Sequence, residues 1–238
     1  MTVSDSYLAG PSDTCCLGGT IHQGEPRGEY VTISNIQTYV SKPSETKANG
    51  HILLYFPDVW GMFKNGLLVM DAFAEFGFMV LGLDYFRGDP VTKHRTNRHD
   101  TTTDPEFDYE AWKAKHTSFA EEAVPRWVSA VSSQYADSGT KFACVGYCFG
   151  APYVCNELAK GGICSVGAFG HPAFLKEHHF ENLMNVLDEN KKLYNLQLFS
   201  GVEHGFALRG DMNKPYERWV KEESLRSIAQ WLTFWLAQ

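Results

Sequence analysis

Residues 141–150, KFACVGYCFG, narrow the folds open to this chain more than any other stretch. An apolar, β-rich run ends on Gly146-Tyr147-Cys148-Phe149-Gly150, and Ala151-Pro152 then opens an apolar helix that closes near Gly161-Gly162. Glycines two before and two after a cysteine suit a sharp strand-to-helix turn, because small residues let the two backbones approach. A thiol on that turn faces a helix N-terminus, whose partial positive charge and free N–H groups favour the thiolate. The N–H of Phe149 is then placed to donate to an oxyanion. The competing reading is a buried cysteine between two packing glycines, and the five residues alone do not separate the two.

The rest of the chain fits a sheet around that turn. HILLYFP (51–57), FMVLGLDYF (78–86) and ICSVGAF (163–169) are short continuous apolar runs, the pattern of strands buried on both faces. IQTYV (36–40) alternates weakly and ends before Pro43, and LYNLQLFSG (193–201) reads as a further strand. Between them, residues 66–76 place Leu67, Met70, Phe73 and Ala74 at helical spacing with Gly77 as the stop. Residues 108–135 read as a helix interrupted or kinked at Pro125, and 218–236 as a closing amphipathic helix. Alternating strands and helices predict a mostly parallel central sheet with helices on both faces, in one domain spanning 1–238. Sites in such sheets lie at the carboxyl ends of the strands.

Composition sets outer limits. A net charge of −7 gives no electrostatic reason to expect nucleic acid or an anionic membrane as partner. No apolar run reaches the roughly 18–20 residues of a membrane span, and the start lacks the basic and apolar regions of a secretory signal. The six cysteines, Cys15, Cys16, Cys144, Cys148, Cys155 and Cys164, show no zinc or redox spacing. A cytoplasmic protein with reduced thiols, no metal and a small-molecule substrate is the expectation, as a monomer or weak homodimer. The adjacent His178-His179 point apart on a helix and do not suggest a metal.

Two further loops carry chemistry. Gly201-Val202-Glu203-His204-Gly205-Phe206 follows the last expected strand, after the nucleophile in chain order, where His204 can withdraw the thiol proton. Phe56-Pro57-Asp58-Val59-Trp60-Gly61 ends the first central strand, where Val59 can supply the second oxyanion N–H. Asp58 beside it is either a turn carboxylate or an acid that tunes Cys148. Arg87 in DYFRGDP either clamps a substrate carboxylate or pairs with Asp84 or Asp89.

Taken in order, PDVWG, DYFRGDP, GYCFGA, GHPAF and SGVEHGFALRGD resemble the dienelactone hydrolase family over nearly the whole chain from Cys16 onward. The resemblance implies an α/β-hydrolase fold and hydrolysis of lactones or esters by a Cys-His-Asp triad without a cofactor. It implies Cys148 as nucleophile, His204 as base, and the N–H groups of Phe149 and Val59 as the oxyanion hole. Asp58 stands where the family often has a glutamate that assists thiol ionisation, Arg87 matches an arginine that binds the substrate carboxylate, and Arg209 an arginine that binds an anion. The triad acid has no counterpart. Residues 171–201 offer no strand ending in an aspartate, and Asp188 does not match. Compared with the family's pattern, the chain looks one strand short, by on the order of 20 residues near Leu183-Met184. Either this is a shortened form or another carboxylate serves. The alternatives to an ester or lactone hydrolase are a catalytically weak or inactive binding protein, and a thiol sensor using Cys148 with Cys144 or Cys155.

Overall fold

Apolar along their whole length, ILLYF and FACVGY become interior strands of the sheet, since only a strand covered on both faces can bury every side chain. The computed structural model describes residues 7–9, 19–97, 100–173, 175–176 and 193–238. Its strands are β1 (Tyr7–Ala9), β2 (Glu29–Ile33), β3 (Ile36–Ser41), β4 (Ile52–Phe56), β5 (Met79–Leu83), β6 (Phe142–Tyr147), β7 (Cys164–Gly170) and β8 (Leu175–Lys176). The helices are α1 (Lys64–Ala74), α2 (Tyr109–Tyr135), α3 (Ala151–Leu158), α4 (Phe206–Arg209) and α5 (Pro215–Leu236). Six strands form the main sheet in the order β2-β3-β5-β4-β6-β7, antiparallel at β2/β3/β5 and parallel from β5 to β7. β1 and β8 pair separately.

Alternation along the strands divides the core between the two faces. Leu54 and Phe56 of β4 pack with Trp127 of α2 and with Tyr153 and Val154 of α3. Leu53 and Tyr55 face the other way, against Leu67, Met70 and Phe73 of α1 and Leu232 and Leu236 of α5. The inward face of α2 runs Ala120, Ala123, Val124, Trp127, Val128, Val131, at the expected three- and four-residue spacing. Asp108 caps this helix by accepting the Ala111 N–H at 3.0 Å. The helix continues through Pro125, where an interruption or kink was expected. That proline lies on the exposed face, where solvent satisfies what the missing N–H leaves open.

Two strand assignments for the main sheet change. The sequence pattern missed β2, which pairs with β3 across the tight turn Ser34-Asn35, both residues at positive φ (51° and 61°). That turn geometry suits a two-residue hairpin, and asparagine tolerates it. In the other direction, residues 193–201 form no strand. Leu193, Leu196 and Leu198 are exposed, and among the described residues the main sheet ends at β7 without a partner from this segment. The pairing of 193–200 with β7 that would close the sheet is therefore not made. Of the helix expected over 176–192, Lys176 belongs to β8 instead, and the rest, with His178, His179, Leu183, Met184 and Asp188, lies outside the described residues, as do Cys15 and Cys16. No helix among the described residues is long and apolar enough to cross a membrane.

Candidate active site

The turn after β6 has the geometry its sequence demands. Cys148 sits at φ 49°, a left-handed conformation that a non-glycine residue holds only under strain of about 1–3 kcal/mol. A short 3-10 turn, Cys148–Gly150, leads straight into α3. A Cβ on Gly146 would collide with the backbone of Gly150, and one on Gly150 with the carbonyl of Phe56 at the end of β4. Both glycines are thus fixed by close approach of strand, turn and helix. Cys148 itself is fully buried, and the aromatic rings of Phe149, Tyr85, Phe86 and Tyr153 pack around this end of the strands.

The loop after β4 holds Asp58 and Val59, both fully buried. One carboxylate oxygen of Asp58 accepts the Trp60 N–H at 2.9 Å, and its carbonyl accepts the Gly61 N–H. The other oxygen takes a hydrogen-bonded ion pair from Arg209 of α4, whose guanidinium also lies 5.0 Å from the Trp60 ring centroid. Asp58 is therefore a turn carboxylate and, at once, the counter-ion of a buried arginine. A charge this deeply buried is tolerable only when paired. Arg87 is exposed at φ 56°, with its guanidinium stacked on Phe119 at 4.3 Å. Neither ion pair considered for it is formed: Asp84 accepts the backbone N–H groups of Phe86 and Gly88, and Asp89 binds Lys115, His94 and His116.

His204 stands between residue 201 and α4, next to a cavity of about 430 Å³ that it lines with Glu203, Arg209, Asp211, Lys214 and Glu217. Cys148 is not among the lining residues. Among the described residues the buried ring Nε2 of His204 has no hydrogen-bond partner, and no hydrogen bond or ion pair joins His204 to a carboxylate. What it does meet is a residue the sequence reading did not single out. The His171 ring lies edge-on to it, 5.0 Å between centroids. His171 directly follows β7, at φ 35°, and also contacts Tyr147 and Phe206. The N–H of Ala173 in the same loop donates to the Cys148 carbonyl at 3.1 Å, so this loop joins the surroundings of nucleophile and base. Among the described residues both ring nitrogens of His171 are buried without partners, an arrangement costing about 1–3 kcal/mol for each. The only trace of it in the sequence was GHP at the carboxyl end of a strand neighbouring the elbow.

Burial, and secondarily the nearby His204, holds the His171 proton affinity well below the ordinary histidine value of 6.5. Burial shifts His22 and His116 the same way. Below that pH the unfolded chain gains protons that the folded chain does not, so the stability present above about pH 6.5 is lost progressively on acidification. The melting temperature, followed by circular dichroism, is expected to fall between about pH 7 and 5, and to fall less in His171→Phe.

Residues 36–179 match the dienelactone hydrolase family. The chain is 44% identical over 233 residues to "Dienlactone hydrolase 2" of Gibberella moniliformis, covering 98% of both chains. With "Dienlactone hydrolase 1" of the same fungus it is 41% identical over 260 aligned positions, covering 99% of this chain and 98% of that one. Those 260 positions exceed the 238 residues here, so part of that relative has no counterpart, whereas the other relative aligns at this chain's own length. A dienelactone hydrolase-like promiscuous phosphotriesterase from metagenomic libraries shares the fold, with a TM-score of 0.63, 15% identity, and coverage of 88% of this chain and 98% of that one. Family match and full-length identity together answer the question the elbow raised: this chain is a hydrolase of the dienelactone hydrolase family, with an α/β-hydrolase fold.

Proposed function

We propose that the chain hydrolyses carboxylic esters or lactones through an acyl-thioester on Cys148, with His204 as general base. The observation that carries the reading is the Cys148 backbone, held at positive φ between the end of β6 and the start of α3. In the first half-reaction the thiol proton passes to His204 while sulfur attacks the carbonyl carbon, and the N–H groups of Val59 and Phe149 receive the negative oxygen. His204 returns the proton to the leaving oxygen. Water, deprotonated by the same ring, then cleaves the thioester. No step requires a cofactor. Arg209 is neutralised by Asp58, so an anionic substrate group there competes with that carboxylate, and Arg87 serves as an outer anion contact.

A second reading, a family member that binds small molecules without turning them over, draws support from the absence of a carboxylate on His204 among the described residues. Intact-mass measurement after mixing with 4-nitrophenyl acetate separates the two. Stoichiometric acetylation that maps to Cys148 is expected, and a chain that stays unmodified would favour the binding protein. Turnover of the same ester should fall at least about 10²-fold in His204→Ala, the scale of a lost general base. An unaltered pH–rate profile in that variant would remove His204 from the mechanism.

A further inference from the structure

His171 is costly as mere filling. An apolar side chain of similar volume would occupy its site after β7 without burying two unpaired nitrogens. Its ring faces apolar Phe206 from α4, the Tyr147 ring from β6, and His204. Of these, His204 has an unpartnered buried nitrogen of its own. The other ionisable groups around His204 are Glu203 beside it, Arg209 from α4, Asp211 and Lys214 beyond, and Glu217 of α5. Arg209 is held by Asp58, and Glu217 accepts from Lys214 and the Asp211 N–H.

We infer that His171 is a positioning residue for His204, standing where a triad carboxylate would and accepting a hydrogen bond from the ring of the base. The inference rests on the Cys148–His204 mechanism proposed above. The proton balance is simple. One His204 nitrogen takes the proton from the Cys148 thiol, leaving thiolate and imidazolium. The imidazolium's other N–H then donates to a lone pair of neutral His171, which a modest rotation of the edge-on rings permits. The proton leaves again with the departing oxygen when the ester C–O bond breaks. His171 stays neutral throughout, since burial and the adjacent positive charge both oppose its protonation.

The test is the rate of Cys148 acylation by 4-nitrophenyl acetate, followed by stopped flow from about pH 5 to 9, in wild type, His171→Phe, His171→Met and His171→Gln. The imidazolium loses its acceptor in the Phe and Met variants. Acylation should slow by about tenfold or more, and the acid limb of the profile should move to lower pH, because a charged form that loses a hydrogen-bond partner is disfavoured. His171→Gln keeps a carbonyl acceptor and should recover most of both effects. An acid limb that stays in place in Phe, whether or not the rate falls, would reduce His171 to packing and overturn the inference. Should the Phe variant fail to fold, Met decides by the same criterion. Wild type that never acylates on Cys148 would instead sink the mechanism itself, so the two failures are told apart.

Discussion

Ester hydrolysis is expected to drop by about 10⁴-fold or more when Cys148 becomes alanine, with the fold left in place. The size of the effect follows from covalent catalysis. Without the sulfur there is no acyl intermediate, and the remaining groups can only polarise a carbonyl toward bulk water. Alanine retains the Cβ and so meets the same strain at φ 49° that cysteine already bears. The melting temperature should therefore move little. Loss of acetylation together with loss of turnover is the expected pair of results. Turnover near the wild-type rate in a folded Cys148→Ala protein would end the thioester mechanism.

The largest effect on stability is expected at Asp58. Asp58→Ala removes the buried counter-ion of Arg209, which is only 2% exposed and stacked by Trp60. Breaking one side of such a pair costs about 3–5 kcal/mol, a large share of the roughly 5–15 kcal/mol that holds a typical domain together. It also removes the acceptor of the Trp60 N–H, which fixes the loop carrying Val59. Urea denaturation should show a clearly lower midpoint in Asp58→Ala. The double variant Asp58→Leu/Arg209→Met, which removes both charges, should regain much of the loss. Equal midpoints for wild type and Asp58→Ala would mean the arginine finds water in the folded state, and the pair would lose its structural role.

The parts of the fold legible in the sequence are those where burial on both faces leaves an unbroken apolar run. ILLYF, VLGL and FACVGY show their strands because every position in them is buried. EYVTI hid its strand at the sheet edge, where most of its side chains meet solvent and pairing depends on the Ser34-Asn35 turn. LYNLQLFSG misled for the converse reason. Its apolar residues suit a strand, but a ladder needs a neighbouring edge in register, and periodicity carries no information about whether one is within reach. Cys148 was legible through glycine spacing, which records a backbone clash, and the family match bears out the resemblance those motifs suggested. The Asp58–Arg209 pairing was not, because 151 residues separate the partners. Nor was His171, whose meaning lies in the ring beside it.

The segment just before β2 crosses to α4 and ties the two ends of the chain together. The Thr20 N–H donates to the Arg209 carbonyl at 3.0 Å, the His22 ring meets the Gly210 carbonyl at 2.8 Å, and the Asn65 amide donates to the carbonyls of both Thr20 and Leu208. These contacts span up to 189 residues of chain. On a ribosome, residues 19–22 emerge long before their partners exist, so they wait unanchored until residues 209 and 210 have been made. Closing so large a loop is entropically expensive and kinetically slow, which makes the strap a late step in folding. The sheet can therefore assemble ahead of the segment carrying Arg209. In native-state hydrogen exchange, the Thr20 and His22 amides should open well below the global unfolding free energy, while those of β4 and β6 hold to the end.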